Sequence, residues 1–165
     1  MKPEVQNAIK EGMKVGKNCQ FISPGPNFGS EPYLITIGDN TTVSFDVAFV
    51  THDAGTRVLR NLAEPGSKEK ETVIYGEIKV GKNCFIGCRS TILPGVTIGD
   101  NSIIGAGSVV NRDIPENSVA AGVPCKVICT LDEYKEKHKD DFLYMVSLPA
   151  DKKKKYLLDL FNKKK

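Results

Sequence analysis

The chain has 165 residues, 40% hydrophobic and 26% charged, which excludes wholesale disorder and suffices for one domain with a closed core. Its net charge is +3, but the segment from Pro149 onward carries seven lysines against Asp151 and Asp159, a net +5 that leaves −2 on the rest, so a nucleic-acid-binding surface is not expected. No apolar run reaches the roughly 18 residues that span a bilayer, Met1–Asn7 lacks an apolar leader core, and five cysteines cannot all pair within one chain, so the expectation is a cytoplasmic protein with reduced thiols and no membrane partner.

From the N-terminus onward, a six-residue repeat organises the sequence. Ile9, Val15 and Phe21 are spaced by six, as are Ile37, Val43 and Phe49. Then Ile74, Val80, Ile86, Ile92, Ile98, Ile104 and Val110 keep the same spacing without a break. Small or β-branched residues stand two places before most of these: Ile78, Cys84, Ser90, Val96, Ser102 and Ser108. Turn formers follow them, as in Val80-Gly81-Lys82-Asn83 and Ile98-Gly99-Asp100-Asn101. Period six fits neither a helix nor one long strand. It fits strands of two or three residues, each ended by a corner, with alternate side chains facing inward. Three such strands close a coil of about 18 residues, and each coil buries its interior only by stacking on its neighbours. The predicted fold is therefore an all-β solenoid.

Phe21 to Ile37 and Phe49 to Ile74 break the register, so two loops leave the coil, at about residues 24–33 and 52–72. Long loops on a regular scaffold carry function or are disordered. After Val110 the repeat gives way to Asn111-Arg112-Asp113-Ile114-Pro115. Helix formers then run from about Leu131 to Val146, and a second helix is predicted over Ala150 to Asn162, with Tyr156, Leu157, Leu160 and Phe161 on one face. That face is expected to pack on the solenoid or on a neighbouring subunit. The predicted division is a solenoid over 1–130 and a Lys-rich helical extension over 131–165.

The stretch Ile98-Gly-Asp-Asn-Ser-Ile-Ile-Gly-Ala-Gly-Ser-Val-Val110, followed by Asp113-Ile-Pro115 and Ala121-Gly-Val-Pro-Cys-Lys-Val-Ile128, resembles the hexapeptide-repeat acyltransferases. Within that family the chain is similar to the galactoside and maltose O-acetyltransferases, over roughly residues 9–130. Phe28-Gly-Ser-Glu-Pro-Tyr-Leu34 and Thr51-His-Asp-Ala-Gly-Thr-Arg-Val-Leu-Arg60 resemble the members from surface-polysaccharide loci. The resemblance implies a left-handed parallel β-helix. Periodicity alone does not show that hand, since parallel crossovers are otherwise right-handed. It further implies a homotrimer with active sites between subunits, acetyl-CoA (acetyl-coenzyme A) as donor, a saccharide or other small hydroxyl compound as acceptor, and no metal.

Acyl transfer to a hydroxyl needs a base, and histidine is the residue suited to that task near neutral pH. The chain has two. The resemblance makes His52, where the second loop leaves the coil, the catalytic base. His138, among Glu136, Lys137, Lys139 and Asp140, reads as solvated surface. Glu31 and Asp53, with Asn27 behind them, are candidates for the group that orients His52, and Asp53 equally suits a turn cap.

For the donor, the resemblance carries over to Gly87, Cys88, Ala106, Asn111, Arg112 and Lys126. Cys88 stands where the galactoside enzymes have a serine. Arg112 and Lys126 suit the phosphates of coenzyme A by charge. Cys19 and Cys84 occupy the small inward position of a repeat and are expected in the core. The cysteine spacings do not suit a zinc knuckle, and two histidines do not supply a three-histidine zinc site. N-acetylation of an amino sugar, acetylation of an antibiotic, and a non-enzymatic scaffold are the alternatives.

Overall fold

Helix α1 (Pro3–Lys10) opens the chain, with Pro3 in its first turn, Glu4 beside the positive end of its dipole and Lys10 at the negative end. The computed structural model describes residues 2–162. The chain forms two compact units that divide between Tyr134 and Lys135. Ile9, first in the sequence series, is helical rather than part of a coil. The helix buries Val5 and Ala8 in one core with Met13 and Phe28.

Three parallel sheets make the body of the first unit. One holds β1 (Lys14–Val15), β3 (Ile35–Ile37), β8 (Ile78–Val80) and β11 (Thr97–Ile98). The second holds β2 (Gln20–Phe21), β4 (Thr42–Val43), β9 (Phe85–Ile86), β12 (Ile103–Ile104) and β14 (Ser118–Ala121). The third holds β5 (Ala48–Phe49), β10 (Thr91–Ile92) and β13 (Val109–Val110). Successive strands fall on different sheets, so the chain winds past all three faces in turn. Lys79 pairs with Thr97, Phe85 with Ile103 and Thr91 with Val109, each 18 positions apart, which is the period of three hexapeptides.

Ile86, Ile92, Ile98, Ile104 and Val110 are buried, and so are Cys84, Ser90, Val96, Ser102 and Ser108 two places before them. The serines donate to backbone carbonyls: Ser90 Oγ to Gly105 O at 3.1 Å and Ser102 Oγ to Pro115 O at 3.0 Å. A hydroxyl satisfied in this way avoids the desolvation penalty of an unpaired polar group. At one corner Asn18, Asn40, Asn83, Asn101 and Asn117 all adopt positive φ, between 53° and 59°. Asparagine tolerates that conformation. The side chains also link coil to coil: Asn83 donates to Asn101 at 2.9 Å and Asn101 to Asn117 at 3.0 Å.

Two further sequence expectations change along the coils. Ile74 continues the hexapeptide spacing but is 55% exposed, because it lies in β7 (Ile74–Tyr75), which pairs antiparallel with β6 (His52–Asp53) outside the stack. The loop expected at 24–33 is also shorter. Asn27 bridges to Ala48 in parallel, and Phe28 is buried, stacked on Phe49 at 5.5 Å. These two residues supply the third face of the first coil, and the excursion proper runs from Gly29 to the 3₁₀ turn Pro32–Leu34.

At the other end β15 (Lys126–Thr130) turns back antiparallel on β14 and closes that edge of the second sheet. Thr130 and Glu133 form a capping box, with Thr130 N–H donating to Glu133 Oε2 at 2.7 Å and Glu133 N–H donating to Thr130 Oγ1 at 3.2 Å. It starts α3 (Leu131–His138), which ends well before the expected Val146. Asp140 and Asp141 are poor helix formers and face the negative end of the helix dipole. Helix α4 (Ala150–Asn162) covers the expected range, with Leu157 and Leu160 half-buried and Tyr156 and Phe161 exposed. Lys163, Lys164 and Lys165 of the basic tail lie outside the described residues.

Candidate functional site

The strands of the third sheet stack in register, Phe49 on Ile92 on Val110, so the residues that follow them, Val50, Leu93 and Asn111, form a column at one corner. At Val50 the chain leaves the stack, and the β6–β7 pair sets His52 opposite Tyr75. A cavity of about 580 Å³ opens at this corner, lined by His52, Asp53, Ile74, Leu93, Pro94 and Asn111, among others.

His52 Nδ1 lies 2.8 Å from Glu31 Oε2, and the same oxygen accepts from the hydroxyl of buried Thr51 at 2.7 Å. The excursion that carries Glu31 is turned by Gly29, whose N–H donates to Asn27 Oδ1 at 2.9 Å and whose φ is +65°. Glycine adopts that conformation without strain. The Thr51 hydroxyl above all, and then His52, hold the Glu31 carboxyl below its ordinary value of 4.5. An ionised carboxylate only accepts, so Nδ1 of His52 carries a proton, and in the neutral ring Nε2 then holds the lone pair. The ring also stands edge-on to Tyr75, with centroids 5.8 Å apart.

Of the candidates for orienting His52, Glu31 makes the contact. Asp53 accepts from Gly55 N–H at 2.7 Å and caps the 3₁₀ turn Ala54–Thr56. Asn27 holds Gly29. His138 Nδ1 lies 3.2 Å from Asp141 Oδ2.

The donor candidates divide. Asn111 lines the His52 cavity. Gly87, Cys88 and Ala106 do not; they occupy the corner between the second and third sheets. There a Cβ on Gly87 would lie 2.5 Å from Ala106 N, so the coils stack backbone on backbone. Ala106 is exposed and Cys88 half-buried. Arg112, one residue beyond Asn111, and Lys126, at the start of β15, are both exposed. Sequence reasoning missed Thr51 and Tyr75. Thr51 had a signal, a β-branched hydroxyl residue beside the proposed base, whereas Tyr75 reaches His52 only through the antiparallel pairing.

Cys84 and Cys125 are buried, and burial pushes both thiols up from their ordinary value. Cys19 is half-buried, and its thiol donates to Gly38 O at 3.1 Å. Among the described residues no three His, Cys, Asp or Glu side chains are grouped to hold a metal ion, and no helix is long and apolar enough to cross a membrane.

Residues 77–112 match the family described as bacterial transferase hexapeptide (six repeats). The chain is 42% identical over 153 residues to protein CapG of Staphylococcus aureus, covering 92% of this chain and 86% of that one. It is 44% identical over 109 residues to the galactoside O-acetyltransferase of Escherichia coli K12, covering 66% of this chain and 49% of that enzyme. Among solved structures it resembles a maltose O-acetyltransferase from Clostridium difficile 630, at 29% identity and a TM-score of 0.53, over 76% of this chain and 73% of that one. It also resembles a galactoside acetyltransferase in complex with coenzyme A, at 32% identity and a TM-score of 0.53, over 89% and 78%. The repeat, the parallel sheets and these relatives together make the chain a member of the hexapeptide-repeat acetyltransferases.

Proposed function

We propose that this protein is an acetyl-CoA-dependent O-acetyltransferase that acetylates a saccharide hydroxyl, built on a left-handed β-helix and working as a homotrimer with its sites between subunits. The observation that carries this reading is the Thr51–Glu31–His52 chain, whose imidazole lines the 580 Å³ cavity. The similarity to a galactoside acetyltransferase solved with coenzyme A supports the donor, and the similarity to galactoside and maltose O-acetyltransferases supports the acceptor class. Five cysteines without a disulfide suit the cytoplasm.

Acetyl-CoA, as substrate, brings an activated thioester acyl group. The residues present fit such a donor. Gly87 and Ala106 carry nothing larger than a methyl, so a narrow chain can lie against them beside Cys88, and the exposed cations Arg112 and Lys126 would hold its phosphates. Cys88 and Asn111 would border the same donor. His52 Nε2 takes the proton from the acceptor hydroxyl. Glu31, fixed by Thr51, holds the ring in the required tautomer and stabilises the imidazolium that forms. Asp53 caps the turn behind the base and borders the same cavity.

His52→Ala is expected to lower kcat by about 10²–10⁴ while acetyl-CoA affinity changes little; a variant with full turnover overturns the assignment. Replacing Arg112 and Lys126 together by Ala is expected to raise the donor KM and leave the acceptor KM in place, and an unchanged donor KM removes their role.

A further inference from the structure

The second loop continues beyond the His52 cavity. The Asp53 cap and the turn Ala54–Thr56 lead directly into helix α2 (Arg57–Leu62), followed by the 3₁₀ turn Lys68–Glu71. Arg57 and Arg60 are three apart and share a face of α2. With Asn61 and Lys70 they line a separate hollow of about 310 Å³. Three of its four lining side chains are cations, and none of the three makes an ion pair or side-chain hydrogen bond among the described residues. Arg60 is half-buried, and its Nε is out of reach of solvent with no acceptor.

Like charges gathered in one hollow repel, and a buried guanidinium N–H without an acceptor carries a desolvation penalty. Lys79, by contrast, pairs with Glu77 at 2.7 Å. A single anion in the hollow would relieve both penalties, and an anion with several acceptor oxygens suits two guanidinium forks and an ammonium better than one carboxylate does.

The geometry points to the Arg57–Arg60–Lys70 hollow as a binding site for a phosphate or diphosphate group carried by the acceptor. The acceptor is then a phosphorylated or diphosphate-linked saccharide rather than a neutral sugar. One continuous segment from His52 to Arg60 holds both the base and the anchor, so the anionic group fixes which hydroxyl reaches His52. Assigning the anion to the acceptor rests on the acetyl-transfer reading above; the binding of an anion does not.

The test is calorimetric titration of inorganic pyrophosphate into the full-length protein. The variants compared are Arg57→Ala/Arg60→Ala, Arg57→Lys/Arg60→Lys and Arg112→Ala/Lys126→Ala, with thermal unfolding as the check that each folds. Expected is pyrophosphate binding that weakens with added salt, falls at least about tenfold in the Arg57→Ala/Arg60→Ala variant and falls by less in the lysine variant, which keeps charge but loses the fork. Any pyrophosphate held by the donor cations is lost in Arg112→Ala/Lys126→Ala, and the binding that remains in that variant is expected to be the part that Arg57→Ala/Arg60→Ala removes. No binding to the wild type, or equal binding after Arg57→Ala/Arg60→Ala, overturns the site. The same variants are titrated with acetyl-CoA. A loss of donor affinity in Arg57→Ala/Arg60→Ala would assign the hollow to the donor's phosphates and overturn the acceptor assignment. Failure of the acetyl-transfer reading shows separately, as full turnover in His52→Ala, and leaves the pyrophosphate result standing.

Discussion

Glu31 and His52 stand 21 residues apart in the chain and 2.8 Å apart in space, each on a segment that has left the coil. Thr51 brings them to one point, since its hydroxyl donates to the same Glu31 oxygen that receives His52. Thr51 is buried where the chain leaves the stack, so the rigid scaffold sets the position of the carboxylate, and the carboxylate sets the imidazole.

Glu31→Gln is expected to lower kcat by about 10–10² with little change in donor KM, because a neutral amide orients the ring without stabilising the imidazolium. Steady-state kinetics on the purified variant decide it. A donor KM that rises in step with the loss of kcat would mean that Glu31 shapes the donor site instead.

The pH dependence follows from the direction of the Glu31 shift. A carboxyl held below its ordinary value contributes stability that is whole above about pH 4.5 and is lost as pH falls through the folded value. The stability difference between wild type and Glu31→Gln is therefore expected to shrink as pH falls below about 4.5. Thr51→Val removes the largest cause of the shift, so the shrinkage should begin at higher pH in that background. Urea unfolding across pH 3–7 measures both.

Ile92 and Ile74 share one hexapeptide phase but not one environment. Ile92→Ala is expected to destabilise by about 2–5 kcal/mol, since Ile92 is fully buried. Ile74→Ala is expected to stay within about 0.5 kcal/mol, since Ile74 is 55% exposed. Equal losses in chemical denaturation would contradict the placement of Ile74 outside the stack.

Two glycines are required for different reasons. Gly87→Ala puts a Cβ 2.5 Å from Ala106 N, forcing adjacent coils apart, and an overpacking loss of about 1–3 kcal/mol is expected. Gly107→Ala meets open space but sits at φ +69°, where backbone strain alone costs about 1–2 kcal/mol. Asn tolerates positive φ, so Gly107→Asn is expected to recover part of that loss while Gly87→Asn recovers none.

Thiol labelling at pH 8 is expected to leave Cys84 and Cys125 unmodified in the folded protein and to reach all five cysteines in denaturant. Burial both shields these two and disfavours their thiolates. Rapid native labelling at either would place it outside the core.

The sequence by itself determined the stack. A two-residue strand ended by an Asn or Gly corner has one inward aliphatic and one inward small residue, and repetition every six positions leaves no other way to bury them, so the 18-residue pairing and the core from Val80 to Val110 were legible. Periodicity counts positions without seeing neighbours. It therefore extended the series to Ile74, which pairs with Asp53 in a hairpin, and to Ile9, which is helical. It also left Phe28 in a loop, although that ring stacks on Phe49 inside the coil. His52 was legible through the resemblance carried by its motif. Its partner was not, because Glu31 and Asp53 are equal candidates until the fold brings one excursion over Thr51 and turns the other carboxylate onto Gly55 N–H. Local spacing fixes what repeats, and only tertiary structure decides what meets across segments that do not.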